Sequence, residues 1–185
     1  MRITGGVHRS RVLQSPAGNA VRPTKDKVRQ ALYNSLASRG LPDEDTIVLD
    51  AFCGTGALGL EALSRGAAHG IFMDKARDSI AICTKNINTL GVGENCTILH
   101  KDSTKPGEKP STIPAANLVF LDPPYRQGLV SLALMALAAG GWMNPGALCV
   151  VESEEGDSTV YNGLVLLDQR LYGQTQICVY CYRPG

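Results

Sequence analysis

Residues 49–59 decide the fold, and they are Leu49-Asp50-Ala51-Phe52-Cys53-Gly54-Thr55-Gly56-Ala57-Leu58-Gly59. The apolar run Ile47-Val48-Leu49 predicts a buried strand just before the glycines, and Ala57 to Arg65 predicts a helix just after them. Gly-x-Gly-x-x-Gly is a weak signal alone, but between a strand and a helix it is typical of a loop that binds a nucleotide cofactor. A tight strand-to-helix turn without a ligand is the alternative interpretation.

Outward from this loop, short apolar runs alternate with helical patterns, which predicts an α/β fold with a mostly parallel sheet and helices on both faces. The last two runs have no long helix between them, so we expect an antiparallel hairpin at one edge. The polar loop from Ser103 to Pro114 is expected to be exposed. The other predicted strands are 70–73, 97–99, 118–121, 147–152, 164–169 and 176–182, and the other predicted helices include 76–90 and 129–139.

Asp50 ends the first strand, directly ahead of the glycines, and it bears on which cofactor the loop takes. A dinucleotide places its pyrophosphate at the helix N-terminus, where a fixed negative charge is unfavourable. A carboxylate at that point suits a cationic group, such as the amino group of a methionine moiety. Asp50 therefore favours S-adenosylmethionine over NAD.

Four aspartates follow four predicted strands: Asp50, Asp74, Asp102 and Asp122. In open α/β sheets, ligands bind beyond the carboxyl ends of the strands. Asp74 lies about 20 residues beyond the glycine loop, the spacing at which a carboxylate accepts hydrogen bonds from ribose hydroxyls. Asp102 is placed to reach the adenine or the edge of the site, and a turn or capping role is the alternative for it.

Asp122-Pro123-Pro124-Tyr125 follows the fourth strand and is the sharpest signal of chemistry in the chain. The two prolines fix φ and lack N–H groups, so their carbonyls are rigid acceptors. The Asp122 side chain and the Pro123 carbonyl can accept the two hydrogens of an exocyclic base amine, which aligns its lone pair and stabilises the charge developing on nitrogen. Tyr125 can stack on a flipped base. A rigid loop is the alternative interpretation.

The N-terminal part of the chain is basic, although the whole carries a formal charge of only +1. Residues 1–42 hold eight of the 18 Lys and Arg and one acid, Asp26, so this segment is +7 and the rest sums to −6. A basic segment on an acidic body favours contact with a polyanion, and chance clustering on a solvated surface is the alternative. We divide the chain into a basic arm or hairpin at 1–22 and one domain at 23–185.

Length and composition exclude other classes of protein. The 185 residues suffice for one domain, and no stretch approaches the ~20 apolar residues of a membrane span. The start of the chain lacks the apolar core of a signal peptide, so a cytoplasmic location is expected. The cysteines are irregularly spaced, and an extended strand points Cys178 and Cys181 to opposite faces, so we expect neither a disulfide framework nor a metal site.

With both motifs in place, the chain resembles the class I S-adenosylmethionine-dependent methyltransferases that carry Asp/Asn-Pro-Pro-Tyr/Phe. More closely, it is similar to the bacterial family that methylates guanine N2 in 16S ribosomal RNA. One departure is Gln30, where members usually carry Glu. The resemblance covers nearly the whole chain and is carried by residues 1–6, Arg22-Pro23-Thr24 with Val28-Arg29 and residues 31–34, residues 50–66, residues 122–125, Val151-Glu152 and residues 172–175.

The resemblance implies a Rossmann-like seven-stranded sheet with its last strand antiparallel, and ribosomal RNA or the small subunit as partner. We expect S-adenosyl-L-homocysteine as the product and a monomeric protein. The catalytic candidates are Asp122, Pro123, Pro124 and Tyr125. The cofactor-binding candidates are Asp50, Phe52, Cys53, Gly54, Thr55, Gly56, Gly59, Asp74, Lys75, Asp102 and Ser103. The candidates for contacts with RNA phosphates are Arg2, Arg9, Arg11, Arg22 and Lys25.

Other functions stay open on the sequence alone. An adenine-N6 or cytosine-N4 methyltransferase would use the same two motifs, but such enzymes on DNA usually carry a target-recognition domain, for which the chain has no room. A non-catalytic RNA-binding module on the same fold is a second alternative, and the intact motifs argue against it. An NAD-dependent oxidoreductase is disfavoured by Asp50 and by Asp122 to Tyr125.

Overall fold

The computed structural model describes residues 1–16, 23–124, 128–154, 160–173 and 175–185, in which four α-helices and seven strands are seen. A short 3-10 turn at Gly93–Asn95 precedes the third strand. The helices are α1 (Pro23–Ala37), α2 (Ala57–Ser64), α3 (Arg77–Leu90) and α4 (Leu129–Ala139). The strands are β1 (Ile47–Asp50), β2 (His69–Asp74), β3 (Cys96–His100), β4 (Ala116–Leu121), β5 (Met143–Glu154), β6 (Leu164–Tyr172) and β7 (Thr175–Tyr182).

The seven strands form one sheet in the order β3-β2-β1-β4-β5-β7-β6. β1 pairs in parallel with β2 and with β4, which sets Asp50 beside Phe72 and Phe120. β7 runs antiparallel to both β5 and β6, so the expected α/β sheet with an antiparallel last strand is confirmed. The strand order reverses between β1 and β4, and this switch point is where open α/β sheets bind their ligands.

The sheet separates two apolar clusters, and neighbouring residues of β1 face opposite clusters. Val48 packs with Leu36 of α1 and Leu60 of α2 on one face, where α3 also lies. Leu49 belongs to the cluster on the other face, which α4 and the fully buried Trp142 complete. Helices therefore cover both faces, as the alternation of strands and helices predicts.

The loop between β3 and β4 makes more contacts with the rest of the protein than its polar composition predicts. Trp142 Nε1 donates to Gly107 O at 2.8 Å, and Lys109 N donates to Gly140 O at 2.9 Å. Ser103 and Ile113 are buried. The expectation of an exposed loop is wrong for these residues, because the loop closes over the end of α4 and Trp142.

The N-terminal arm is a small hairpin in residues 1–16. Arg2 and Val12 form an antiparallel bridge, and Leu13 N donates to Met1 O at 3.0 Å. Ile3 and Leu13 are buried against the main body, so the hairpin is held by an apolar face as well as by its backbone. No helix among the described residues is long and apolar enough to cross a membrane.

Candidate active site

The carboxyl ends of four neighbouring strands bring four aspartates to one edge of the sheet. β3, β2, β1 and β4 are adjacent in this order, and each is followed or ended by one of the acids predicted to line the site. In that order along the edge the four are Asp102, Asp74, Asp50 and Asp122. The sheet thus collects at its switch point residues that are more than 70 positions apart in the chain.

Asp50 is a buried carboxylate at the centre of this edge. Its side chain is 2% exposed, and Oδ2 accepts a hydrogen bond from Gly59 N at 3.0 Å. Burial raises the pKa of Asp50 to about 7, the Gly59 hydrogen bond opposes this, and the charge of Asp74 adds to it. In the described part of the chain, no Lys or Arg forms an ion pair with Asp50. A buried carboxylate in this setting is suited to a cationic ligand group.

The glycine loop adopts backbone conformations that only glycine takes readily. Gly54 and Gly56 have φ of 53° and 79°. A Cβ at Gly56 would lie 2.7 Å from Cys83 Sγ, whereas a Cβ at Gly54 would meet nothing closer than 4.0 Å. Gly56 is thus fixed by packing, while the open space at Gly54 leaves its backbone accessible to a ligand. At Gly59, a Cβ would lie 2.5 Å from the Phe72 ring, so α2 packs closely on β2 as the third glycine predicts.

Phe52, Cys53 and Thr55, the other loop residues predicted to hold the cofactor, contact neighbouring protein residues. Phe52 is half-buried against the apolar cluster around Leu49. A hydrogen bond with Cys83, together with burial, raises the pKa of the Cys53 thiol, which stays neutral at physiological pH. Thr55 Oγ1 lies 3.6 Å from Met1 Sδ of the arm. Cys53 and Thr55 therefore contact the protein itself.

Asp74 connects β2 to the glycine loop. Its Oδ2 accepts from Gly54 N at 3.0 Å and its Oδ1 from Ala76 N at 2.8 Å. The side chain remains partly exposed, which leaves lone pairs of both oxygens for hydroxyl donors. Lys75 beside it is exposed, and its carbonyl lies 2.9 Å from His100 Nε2.

Asp102 forms a local turn after β3. Its Oδ1 accepts from Thr104 Oγ1 at 2.7 Å and from Thr104 N at 2.9 Å, and these bonds lower the pKa of Asp102. The neighbouring Ser103 is buried and donates to Ala51 O. The turn role considered for Asp102 is present, and Ser103 ties the β3 loop to the segment that follows β1.

The Asp122-Pro123-Pro124 segment follows β4, in which Phe120 pairs with Asp50 of β1. Asp122 is half-buried, Pro123 is buried and Pro124 is exposed. Tyr125 lies outside the described residues, as does Arg22, and the side chain of Lys25 is likewise not described. Arg2, Arg9 and Arg11 are exposed on the arm. In the part of the chain that the structure describes, no group of three or more His, Cys, Asp or Glu could hold a metal ion.

Glu61 docks the arm onto α2, and the sequence analysis assigned it no role. It is fully buried, and its carboxylate accepts from Thr4 N at 2.8 Å and from Thr4 Oγ1 at 2.7 Å. It also pairs with Arg29 at 3.2 Å and with Arg65 at 2.8 Å. The sequence does contain an indication of this role, since Glu61 is the one charged residue in the apolar run 57–64. A carboxylate inside a buried helix needs hydrogen-bonded or charged partners.

A groove of about 350 Å³ lies between the arm and α1. Arg2, Arg9 and Lys27 supply positive charge to its lining, and Gln30 lines it as well. The carboxylate of Asp26, also in the groove, is paired with Arg29 at 2.9 Å. Lys27 was not among the residues predicted to contact RNA, and its position in the groove beside the arm is visible only in the structure. The full lining is Arg2, Ile3, Thr4, Arg9, Ser10, Asp26, Lys27 and Gln30.

Comparison with known proteins gives the family. The model of the family described as "Conserved hypothetical protein 95" matches residues 1–181. The chain is 37% identical over 182 residues to Ribosomal RNA small subunit methyltransferase D of Escherichia coli, covering 97% of this chain and 89% of that protein. The chain belongs to this family of ribosomal RNA methyltransferases. The protein of the same name from Haemophilus influenzae is 34% identical over 84% of this chain and 79% of its own length.

Solved structures agree with the family in fold. The Escherichia coli protein yhhF superposes with a TM-score of 0.83 at 33% identity, covering 100% of this chain and 99% of that one. A Pyrococcus horikoshii structure at 14% identity covers 93% of this chain and 94% of its own with a TM-score of 0.69, and shows the fold alone. The Rossmann-like methyltransferase fold expected from the resemblance is confirmed.

Proposed function

We propose that this methyltransferase transfers a methyl group from S-adenosylmethionine to the exocyclic N2 of a guanine in 16S ribosomal RNA. The observation that carries the proposal is that Asp50 ends β1 and Asp122-Pro123-Pro124 follows the neighbouring β4 at the switch point of the sheet. The names of the relatives support ribosomal RNA as the substrate class. The choice of guanine N2 rests on the family resemblance of the sequence.

The residues at the strand ends fit S-adenosylmethionine. The buried Asp50 carboxylate suits the ammonium of the methionine moiety, because a cation there would offset the cost of burying the charge. The open space at Gly54 admits a ligand against the backbone, and Asp74 has lone pairs left for ribose hydroxyls. Asp102 and Ser103 would border the adenine, and Phe52 and Lys75 would flank the pocket. When bound, the cofactor supplies an electrophilic methyl group.

The residues after β4 act on the base. The amine of a guanine is a poor nucleophile, because its lone pair is delocalised into the ring. The Asp122 carboxylate and the Pro123 carbonyl accept its two N–H groups, which orients the lone pair and stabilises the positive charge that develops on nitrogen. The nitrogen becomes acidic as it is methylated, so its proton is lost without a strong general base. We assign Tyr125 to stacking on the base.

The arm and the groove beside it hold the RNA backbone. Arg2, Arg9 and Arg11 are exposed on the hairpin, and Lys27 continues their positive charge across the groove. Phosphate contacts of this kind position an enzyme without reading sequence. Arg22 directly precedes α1 in the sequence and Lys25 lies in its first turn, and we include both in the proposed surface. We accordingly propose an RNA-binding arm at 1–22 and a catalytic domain at 23–185, acting as a monomer in the cytoplasm.

The test is methyl transfer from labelled S-adenosylmethionine to small subunits and to free 16S RNA, both from cells that lack the corresponding methylation. The modified nucleoside is then identified by mass spectrometry. N2-methylguanine is the expected product. Methyladenine or methylcytosine would retain the chemistry and overturn the choice of base. Cofactor binding without any product on either substrate would contradict the proposed function.

A further inference from the structure

One buried side chain, Asn86 of α3, connects the N-terminal arm to the glycine loop. It is 0% exposed and lies on the inner stripe of α3 with Cys83, Ile87 and Leu90. An amide at a position where its neighbours are apolar is costly to bury unless all its hydrogen bonds are made. Its contacts therefore define what it does.

The Asn86 side-chain amide forms hydrogen bonds with Gln14 of the arm and with Thr55 of the glycine loop. Oδ1 accepts from Gln14 N at 2.7 Å, and Nδ2 donates to Gln14 O at 3.1 Å, so the side chain holds the arm as a neighbouring strand would. The same Nδ2 donates to Thr55 O at 2.9 Å, between Gly54 and Gly56 of the loop. Met1 Sδ, at 3.6 Å from Thr55 Oγ1, adds a second contact between the arm and this residue.

We propose that Asn86 is a positioning residue that makes docking of the arm and occupation of the glycine loop depend on each other. The inference rests on the proposed function, in which the loop holds the cofactor and the arm holds RNA. A ligand that orders the loop fixes Thr55 O and so the Asn86 amide, which in turn holds Gln14. The linkage is reciprocal, so a docked arm also favours the loop conformation that binds cofactor.

Hydrogen exchange of the full chain, with S-adenosylhomocysteine as the ligand, tests this without RNA. Exchange in peptides from residues 1–16 is compared with exchange in the β6–β7 hairpin, which reports any general stabilisation. In the wild type, saturating ligand is expected to slow exchange of the arm at least about fivefold more than that of the hairpin, the lower end of typical couplings. Unchanged exchange in the arm, with ligand binding shown by calorimetry, would overturn the inference but leave the proposed function intact.

Variants separate the link from general stability. Asn86→Ala is expected to abolish the extra protection of the arm, while Asn88→Ala, the same change at an exposed site of α3, should retain it. Asn86→Ser keeps a small uncharged polar group but cannot make all three hydrogen bonds to Gln14 and Thr55, so it gives a second test if the alanine variant does not fold. Full protection of the arm in a folded Asn86 variant would refute the proposal. Failure of the wild type to bind the ligand would overturn both proposals.

Discussion

Gly59 N donates a hydrogen bond to Asp50 Oδ2 at 3.0 Å and so ties the first turn of α2 to the end of β1. The bond therefore connects the residue before the glycine loop to the residue at its end. It also favours the ionised carboxylate, but burial has the larger effect and raises the pKa of Asp50 to about 7. We therefore expect the protonation state of Asp50 to affect the stability of the protein and, in the proposed function, its affinity for the cofactor.

Asp50 should make the cofactor-free protein less stable as the pH rises from about 4 to about 7. In this window the folded state holds a proton that the unfolded chain, with a pKa near 3.8, has lost. At about 1.36 kcal/mol per pKa unit, the loss amounts to roughly 4 kcal/mol. Asp50→Asn should remove this slope and be the more stable protein at pH 8, as measured by urea unfolding at pH 5 and pH 8.

The same carboxylate should make cofactor affinity fall as the pH drops below about 7, because the protonated acid no longer attracts the ammonium. Calorimetric titration with S-adenosylhomocysteine should show this in the wild type and not in Asp50→Asn, which binds weakly at every pH. Parallel pH profiles for the two proteins would remove Asp50 from the cofactor site.

Asp122→Ala should lower kcat severely and leave cofactor binding nearly unchanged. Removal of one preorganised group that stabilises developing charge, such as an oxyanion-hole donor, lowers kcat about 10²–10³-fold, and we expect a loss of at least this size. Asp122→Asn keeps one oxygen acceptor and should retain more activity than Ala, whereas Asp78→Ala on the exposed surface of α3 should behave as wild type. Simultaneous loss of turnover and of calorimetric cofactor binding would show that Asp122 is a structural or cofactor residue.

Replacing Arg9 and Arg11 together with Ala should weaken RNA binding and reduce its dependence on salt. Each lost phosphate contact lowers the slope of log K against log salt by about 0.7–0.9, so the double variant should lose roughly 1.5. Arg170→Ala with Arg183→Ala removes the same charge from exposed sites at the other end of the chain and serves as the control. Equal slopes for the two double variants would remove the arm from the RNA-binding surface.

Gly6→Ala should release the arm from α2. A Cβ at Gly6 would lie 1.7 Å from Ser64 O, and φ is 75°. Gly40 provides a matched control, since its φ is 78° and a Cβ there meets nothing within 4 Å. Trypsin should cleave after Arg9 and Arg11 faster in Gly6→Ala than in Gly40→Ala. Equal cleavage rates would mean that the close packing of Gly6 on Ser64 O does not hold the arm on α2.

Sequence patterns predict the repeating parts of this fold well because periodicity and glycine spacing are local. α4 has the predicted bounds, and β1 and β2 exceed theirs by one residue at one end or both. β5 begins at Met143, four residues before its prediction, because pairing with Ala116 of β4 extends it through Pro145 and Gly146 despite their low strand propensity. Only the neighbouring strand supplies that information.

The acids of the candidate site were predictable because strand ends in a parallel sheet meet at one edge. The contacts of the arm were not, since Thr4 with Glu61 and Gln14 with Asn86 are 57 and 72 residues apart. Glu61 and Asn86 interrupt apolar helical stripes, which indicates that a buried polar residue needs a partner but not which partner it has.

The arm is synthesised before the two helices that it contacts. Its contacts lie on α2 and α3, so about half of the chain has to emerge before the hairpin can dock. Until Glu61 has emerged, the nascent protein carries the basic segment 1–42, in which Asp26 is the one acid. A chain that stalls before residue 61 would expose this basic segment without the folded domain. We therefore expect truncated translation products to bind nucleic acid nonspecifically.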